Sequence, residues 1–238
     1  MPMIRDPADR ISLVRFLAAL SAAVLAAFAL HAAAAPFVLR LGPDRIVLDT
    51  PVGFSDSLAL ASPRLQELAE SLTSASNKVL VFAITDADLK RFMGGDRPDM
   101  KRYMTVSVPS HIEYDRISAR QFAALAEETQ RGMGALPSVT EYPAHLDKLA
   151  KGRLHALAEL RKSATLLSML QGTRLPAQKD PEREKPRYLL ATTTLVLLRG
   201  KALSIAVYSD YEGAEDIEWI KAMTQTWVDE LLRLNRNP

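Results

Sequence analysis

The sequence predicts an α+β fold, a central antiparallel sheet sandwiched by helices in α/β/α layers, with an N-terminal signal helix before it. Three observations lead to this prediction. Two β-rich runs at 188–198 and 202–208 flank a tight turn, which is the pattern of an antiparallel hairpin. A helical apolar pattern begins at Ala214, directly after that hairpin. Further β-type and helical segments alternate between residues 37 and 131, so helices would cover the faces of the sheet.

The first 34 residues are predicted to be a secretory signal peptide. Arginines precede an unbroken apolar run at 16–30, and a string of alanines follows it at 32–35. A basic start, a short apolar core and an A-x-A cleavage site are typical of exported proteins, so we expect cleavage after Ala34. An uncleaved membrane anchor is the alternative, because residues 16–35 have about the length of a membrane helix.

Residues 35–238 are predicted to form a single α+β domain. The chain contains no cysteine, which excludes disulfide frameworks, zinc–thiolate sites and thiol nucleophiles. Apolar residues make up 48% of the sequence and the formal net charge is +2, so neither wholesale disorder nor a general affinity for nucleic acid is expected. The signal and the Ala-rich, cysteine-free composition together favour a periplasmic or secreted protein of a Gram-negative bacterium.

The beginning of this domain is predicted to hold two short strands and a helix. The runs 37–41 and 45–50 favour β structure and flank a Gly-Pro-Asp turn. A loop is expected at 51–57. Ser62 then suits the N-cap of a helix, and Pro63 suits its first position.

Strands and helices are then predicted to alternate. The apolar run 77–85 favours a buried strand, and a T-D-A-D capping pattern starts a short helix that ends at Gly94-Gly95. Polar and apolar residues alternate over 102–108, which predicts a half-buried strand. A helix capped by Ser118 is expected to follow and to run to about Arg131.

Residues 135–162 are predicted to be a helical insertion. Leucines recur at helical spacing over 144–161, and Gly152 interrupts the pattern, so two helices are an alternative. The next segment, 164–170, favours either a strand or the tail of this helix. Residues 176–186 are charged and flanked by prolines, and they are predicted to be an exposed loop.

The last fifty residues carry the clearest pattern. A long apolar strand leads into a tight Arg199-Gly200-Lys201 turn, and a second strand ends in Tyr208-Ser209-Asp210-Tyr211. The terminal helix contains Trp227-Val228 and an apolar stripe that is expected to lie on the sheet (Ile217, Ile220, Trp227, Leu231). This arrangement resembles the C-terminal part of the Mog1/PsbP-like superfamily, whose exported bacterial relatives include the DcrB-like proteins. The resemblance implies a central antiparallel sheet sandwiched by helices, and a binding or assembly factor rather than an enzyme.

The candidate site residues are His111, Glu113 and Asp115. The common nucleotide, metalloprotease and hydrolase motifs do not occur in the sequence. These three residues alternate, so they would face the same way in an extended segment, where a histidine with two carboxylates could hold a divalent cation or perform acid–base work. The alternative is a polar rim beyond the strand that ends at Val108-Pro109.

Other polar groups favour structural roles. His145 and His155 are ten residues apart and would not share a face of one continuous helix, so surface positions are expected. Four aspartates flank Gly94-Gly95, but the spacing of a calcium loop does not occur and the first two suit helix capping (Asp86, Asp88, Asp96, Asp99). No cofactor is predicted.

The first functional prediction is an exported, non-enzymatic protein that binds an unknown envelope protein or assists envelope assembly. The alternative is a small-molecule or lipid carrier that holds a small apolar ligand in a pocket between the sheet and the helices. A metal-assisted hydrolase using His111, Glu113 and Asp115 is the third hypothesis. No nucleic-acid partner is predicted, and contact with a membrane is expected only through the signal segment if it stays uncleaved.

Overall fold

The computed structural model describes residues 35–137, 141–176 and 186–236. The predicted signal peptide and most of the predicted loop at 176–186 lie outside these residues. Within them the chain forms nine strands, five helices and two short 3-10 turns, the turns at Ser57–Leu60 and Ser110–Ile112. The strands are β1 (Phe37–Leu41), β2 (Asp44–Leu48), β3 (Phe54–Asp56), β4 (Asn77–Thr85), β5 (Arg102–Pro109), β6 (His155–Ser163), β7 (Leu166–Arg174), β8 (Tyr188–Leu198) and β9 (Lys201–Tyr211). The helices are α1 (Pro63–Ser71), α2 (Asp86–Met93), α3 (Ala119–Met133), α4 (Tyr142–Leu146) and α5 (Ala214–Leu234).

Seven of the strands form one antiparallel sheet in the order β3-β4-β5-β9-β8-β7-β6. The predicted C-terminal hairpin is present as β8 and β9, and it lies in the middle of this sheet. The strands β1 and β2 form a separate antiparallel hairpin. The α+β class with a central antiparallel sheet is therefore confirmed.

The strand β5 departs from its prediction, because it is buried on both of its faces rather than on one. Met104 and Val106 are fully buried on one side, as expected, but Thr105 and Ser107 on the other side are each only 4% exposed. The strand lies between β4 and β9 in the interior of the sheet, where side chains on both faces are covered, including the polar ones. The alternation of polar and apolar residues in β5 therefore separates a polar buried face from an apolar buried face, and neither face is exposed to solvent.

One face of the sheet packs against the hairpin β1–β2 and the helix α5. The expected apolar stripe of α5 is confirmed, since Ile220, Trp227 and Leu231 are at most 2% exposed and Ile217 is half-buried. These side chains join one apolar cluster with Met104 and Val207 of the sheet. A single large core therefore holds the last helix against the middle strands.

The opposite face of the sheet packs against three other helices. Phe82 and Tyr103 lie in an apolar cluster with Leu65 of α1, and side chains of α2 pack against that cluster. A second cluster on this face joins Phe122 of α3 to Met169 of β7. Ser118 caps α3, as predicted, and the structure adds a capping box with the side chain of Gln121. Helices thus cover both faces.

The predicted helical insertion at 135–162 is wrong in its second half. Among the described residues of 135–162, α4 in the first half is the only helix, and residues 155–163 form the strand β6. The pairing register of β6 with β7 shifts twice, between Ala156 and Ala158 and between Glu159 and Arg161. Each shift adds one residue to the strand, so apolar side chains recur every three residues instead of every two and imitate a helix. The segment 164–170, where a strand was one of two alternatives, belongs to β7.

The predicted loop at 51–57 is also partly wrong, since it contains the edge strand β3. Phe54 pairs with Thr85 at the end of β4, and its ring lies 6.3 Å from the ring of Trp219 on α5. A strand of three residues is too short to leave a periodic pattern in the sequence. Its position depends on pairing with β4.

The side chain of Asn235, directly after α5, connects the helix to the hairpin β1–β2. Its amide nitrogen donates to the carbonyl oxygens of Val47 at 2.7 Å and Leu231 at 2.8 Å, and its amide oxygen accepts from the Val47 N–H at 2.9 Å. The Asn235 side chain therefore bonds the N–H and C=O of Val47 as the backbone of a neighbouring strand would. Only 7% of this residue is exposed.

Replacing Asn235 with alanine is expected to lower the free energy of unfolding by about 1–3 kcal/mol, because the N–H and C=O of Val47 lose their partners at a half-buried position. Urea unfolding followed by circular dichroism measures this change. The control is Arg236→Ala at the next, exposed position, which should change the stability by less than about 0.5 kcal/mol. Equal effects of the two variants would contradict the assigned role of the Asn235 amide.

Candidate functional site

The structure places His111, Glu113 and Asp115 in a geometry different from the expected one. His111 lies in a 3-10 turn and Glu113 has helical backbone angles, so the segment is not extended. His111 and Asp115 are exposed, whereas Glu113 is buried and forms an ion pair with Lys78 at 2.6 Å. Among the residues that the structure describes, no group of three or more histidine and carboxylate side chains is arranged to hold a metal ion.

The backbone of the same segment holds a buried lysine. Lys201 is completely buried, and its Nζ donates to the carbonyl oxygens of Glu113 at 3.2 Å and Asp115 at 2.9 Å. A carboxylate oxygen of Asp44, the first residue of β2, lies 3.6 Å from the same Nζ. The ammonium group therefore joins the β8–β9 turn, the segment 113–115 and the first hairpin.

A polar cleft of about 360 Å³ lies where β4 and β9 end and β5 begins. It is lined by five carboxylates and three cations (Asp88, Asp99, Asp210, Glu212, Asp216, Arg91, Lys101, Arg102). Every one of these carboxylates is paired with a cation or a hydrogen-bond donor of the protein. Asp88 has the predicted capping role, since it bonds the Thr85 hydroxyl at the start of α2. The cleft is therefore an ion-pair network that closes one end of the sheet.

Asp216 is the most strongly connected carboxylate of this network. Burial by itself would raise the pKa of Asp216, but the N–H groups of Glu212 and Gly213 and the guanidinium of Arg102 bond the ionised form. Together they lower the pKa of Asp216 below its ordinary value of 3.8. Arg102 also stacks on the ring of Trp219 at 4.0 Å, which orders it beside the carboxylate.

Stability is expected to depend on pH through Asp216. A carboxyl whose pKa is lower in the folded state contributes stability that is present above the unfolded pKa and is lost as the pH falls through the folded pKa. Asp216→Asn should therefore be less stable than wild type at neutral pH, and the difference should shrink below about pH 4. Urea midpoints of the two proteins between pH 7 and pH 3 measure it. A difference that stays constant down to pH 3 would contradict this assignment.

A second cleft, of about 240 Å³, lies between the edge of the sheet and the helix α5, and we call it the β7–α5 cleft. Its apolar walls are the side chains of Leu160 on β6, Leu166 on β7 and Val228 on α5. Leu166 and Val228 are buried, and Leu160 is half-buried. Since both the sheet and the helix supply apolar atoms, the cleft continues the main core towards solvent.

The second register shift of β6 shapes this cleft. Successive side chains of a regular strand point to opposite faces of the sheet. Leu160 and Arg161 both line the cleft because the pairing with β7 shifts between Glu159 and Arg161. The irregularity that obscured the strand in the sequence therefore also brings a cation to the cleft.

The floor of the cleft is made of hydroxyl groups that lie within the apolar core. Ser168 and Thr194 are linked at 2.7 Å between their oxygens, and Thr192 and Thr224 at 2.5 Å. Each of these four residues is at most 4% exposed. Ser168 and Thr224 line the cleft directly. Buried polar side chains are expected to have hydrogen-bond partners, and these two hydroxyl pairs satisfy that expectation. The hydroxyl floor is therefore an ordered part of the cleft.

The rim of the cleft carries Arg161, Lys221 and Gln225, and no carboxylate lines it. Arg161 pairs with Asp229 at 2.5 Å and Lys221 with Glu218 at 3.0 Å, both on the outer surface of α5. The sequence prediction named none of these residues. The detectable signal was a set of serine and threonine residues within the apolar runs of β7 and β8, which also fits ordinary strand composition.

The fold combines a seven-stranded antiparallel sheet, a separate hairpin and a small amphipathic cleft beneath the last helix. Comparison with family models, curated proteins and solved structures finds no match to the chain. In the part of the chain that the structure describes, no helix is long and apolar enough to cross a membrane.

Proposed function

We propose that this protein is a non-enzymatic, exported binding protein that holds a small molecule in the β7–α5 cleft. The observation that carries the proposal is the cleft itself, with apolar walls and a hydroxyl floor at the junction of the sheet and α5. A concave, mostly apolar surface with a few fixed polar groups is typical of small-molecule sites. Its position is the one that the carrier hypothesis requires, between the sheet and a helix.

The proposal includes the periplasmic or secreted location and the kinship with the Mog1/PsbP-like superfamily. The first depends on the signal pattern in residues 1–34. An antiparallel sheet with helices against both faces supports the kinship.

Binding of an envelope protein by strand addition is less supported. Within the described residues, the outer edge of β6 has no strand partner, but that strand contains two register shifts and the charged residues Glu159, Arg161 and Lys162. Irregular, charged edges are typical of strands that resist pairing with another chain. The geometry therefore favours the small-molecule carrier over the partner-protein hypothesis.

A blocking variant tests the proposed site. Gln225 is exposed on the rim, so Gln225→Trp should fill the mouth of the cleft without disturbing the core. The matched control is Thr226→Trp, one residue further along α5, exposed and outside the lining. We expect a fragment library, screened by NMR on the ¹⁵N-labelled protein, to shift the amides of Leu160, Leu166 and Val228 in wild type and in the control, but not in Gln225→Trp.

Two outcomes of this screen would contradict the proposed site. Fragments that leave these three amides unchanged, or that bind Gln225→Trp as well as wild type, would overturn the proposal. Thermal unfolding midpoints of both variants, compared with wild type, establish that a loss of binding comes from the blocked cleft and not from unfolding.

A further inference from the structure

We infer that the ligand of the β7–α5 cleft is a small organic carboxylate with a short apolar tail, bound by Arg161, Lys221 and Ser168. This inference rests on the proposed function and names the ligand class of the same site. Three independent features support it: the charge of the rim, the count of hydroxyl protons on the floor, and the size and character of the walls.

The charge of the rim favours an anion. Two cationic side chains and no carboxylate line the cleft. The carboxylate partners of these cations, Asp229 and Glu218, lie outside the lining and engage only part of each cation. A guanidinium has five N–H donors and an ammonium has three, so both cations keep donors for a ligand. The partners are also exposed, and exposed ion pairs exchange easily for another anion.

Among the hydrogen bonds of the described residues, one proton of the hydroxyl floor has no acceptor. Thr224 donates to the carbonyl oxygen of Ile220 at 2.7 Å, so in its contact with Thr192 it must be the acceptor. Ser168 and Thr194 share a single contact, which uses one of their two protons. Thr194 is fully buried and does not line the cleft.

The arrangement that satisfies the floor directs Ser168 into the cleft. If Ser168 donated to Thr194, the Thr194 proton would be buried without an acceptor, which is the costly state. If Thr194 donates instead, the proton of Ser168 is free, and Ser168 lines the cleft. Ser168 is itself 4% exposed, so this donor lies at the inner end of the site, where an acceptor of a bound ligand can reach it.

The positions of these donors allow them to meet on one group. Arg161 and Ser168 are register partners on β6 and β7, so their side chains start side by side. Lys221 approaches from α5 on the other side of the cleft. A carboxylate has two oxygens that accept several hydrogen bonds, and it matches the fork of a guanidinium.

The walls and the volume exclude a bare inorganic anion as the best occupant. The sides of Leu160, Leu166 and Val228 that face the cleft would stay without apolar cover if only an ion were bound. The volume of 240 Å³ corresponds to about eight water-sized groups at ~30 Å³ each. A carboxylate with a tail of roughly six carbons or fewer fills that space and covers the apolar walls.

Binding of hexanoate and hexanamide to the full-length protein tests the inference, because the two probes have the same tail and differ in charge. Titrations followed by NMR of the ¹⁵N-labelled protein at low salt give both affinities. We expect hexanoate to bind at least about tenfold more tightly. Arg161→Gln and Lys221→Gln should each weaken hexanoate binding at least about fivefold and change hexanamide binding less than about twofold. Lys162→Gln is the matched control, since Lys162 is an exposed neighbour that bonds Gln130 on α3 and should change neither.

The outcomes separate the two proposals. Equal affinities for hexanoate and hexanamide, both lost in Gln225→Trp, would overturn the carboxylate assignment and leave the cleft as a ligand site. Hexanoate binding that Arg161→Gln and Lys162→Gln weaken equally would also overturn it, since the attraction would then be general. If neither the probes nor the fragment library perturbs the amides of the cleft, both the inference and the proposed function fail.

Discussion

Replacing Trp227 with alanine is expected to lower the free energy of unfolding by about 3–5 kcal/mol, because it opens a large cavity in the main core. The indole is 2% exposed and lies in the apolar cluster that joins α5 to the central strands. Its Nε1 also donates to the carbonyl oxygen of Asp49 at 2.8 Å, after the hairpin β1–β2. The substitution therefore removes both a packing contact and a tie to that hairpin. Urea unfolding at neutral pH measures the loss.

A conservative variant separates these two contributions. Trp227→Phe keeps most of the apolar contact and removes the N–H. It should therefore lower the free energy of unfolding clearly less than Trp227→Ala does. The control is Ala222→Gly on the exposed side of α5, which should cost only about 1 kcal/mol from helix propensity. If Trp227→Ala cost no more than this control, α5 would not depend on the core contact.

Replacing Lys201 with methionine is expected to destabilise the protein by about 3–5 kcal/mol, although methionine has a similar length and shape. The ammonium group is fully buried, and the carbonyl oxygens of Glu113 and Asp115 accept its protons. Without it, these two oxygens lose their donor, and the Asp44 carboxylate keeps only Arg116 as a nearby cation. Urea unfolding measures the change.

The control for Lys201 is the same substitution at an exposed lysine. Lys162→Met removes a surface ammonium and should change the free energy of unfolding by less than about 0.5 kcal/mol. A second variant, Asp44→Asn, keeps the size of the side chain and removes its charge. A Lys201→Met protein as stable as Lys162→Met would show that the buried ammonium has no structural role.

The fold was predictable where local pattern and tertiary structure agree. The strand at 77–85 and the hairpin at 188–211 are long, rich in β-branched and apolar residues, and bounded by turn residues. The helix α5 has 21 residues, and its stripe repeats at helical spacing from Ile217 to Leu231, which is long enough to identify the buried face. The order of the sheet was not predictable, because the pairing of β5 with β9 joins segments about a hundred residues apart.

The site was harder to predict than the fold. Alternation in the sequence indicates His111, Glu113 and Asp115, but alternation has meaning only in an extended segment, and the chain turns there instead. The β7–α5 cleft combines β6, β7 and α5, so its residues are far apart in the sequence. Ser168 or Thr224 alone resembles any hydroxyl in a strand or helix, and only their common position under α5 distinguishes them.

The class of the fold, most of the elements and the buried face of the last helix can be inferred from local sequence, because periodicity and capping act over a few neighbouring residues. The order of the strands, the strand β6, the burial of Lys201 and the β7–α5 cleft can be seen only in the folded chain. Each of these depends on contacts between distant segments. A register shift of one residue reverses which side chains face the core, and no local pattern specifies it.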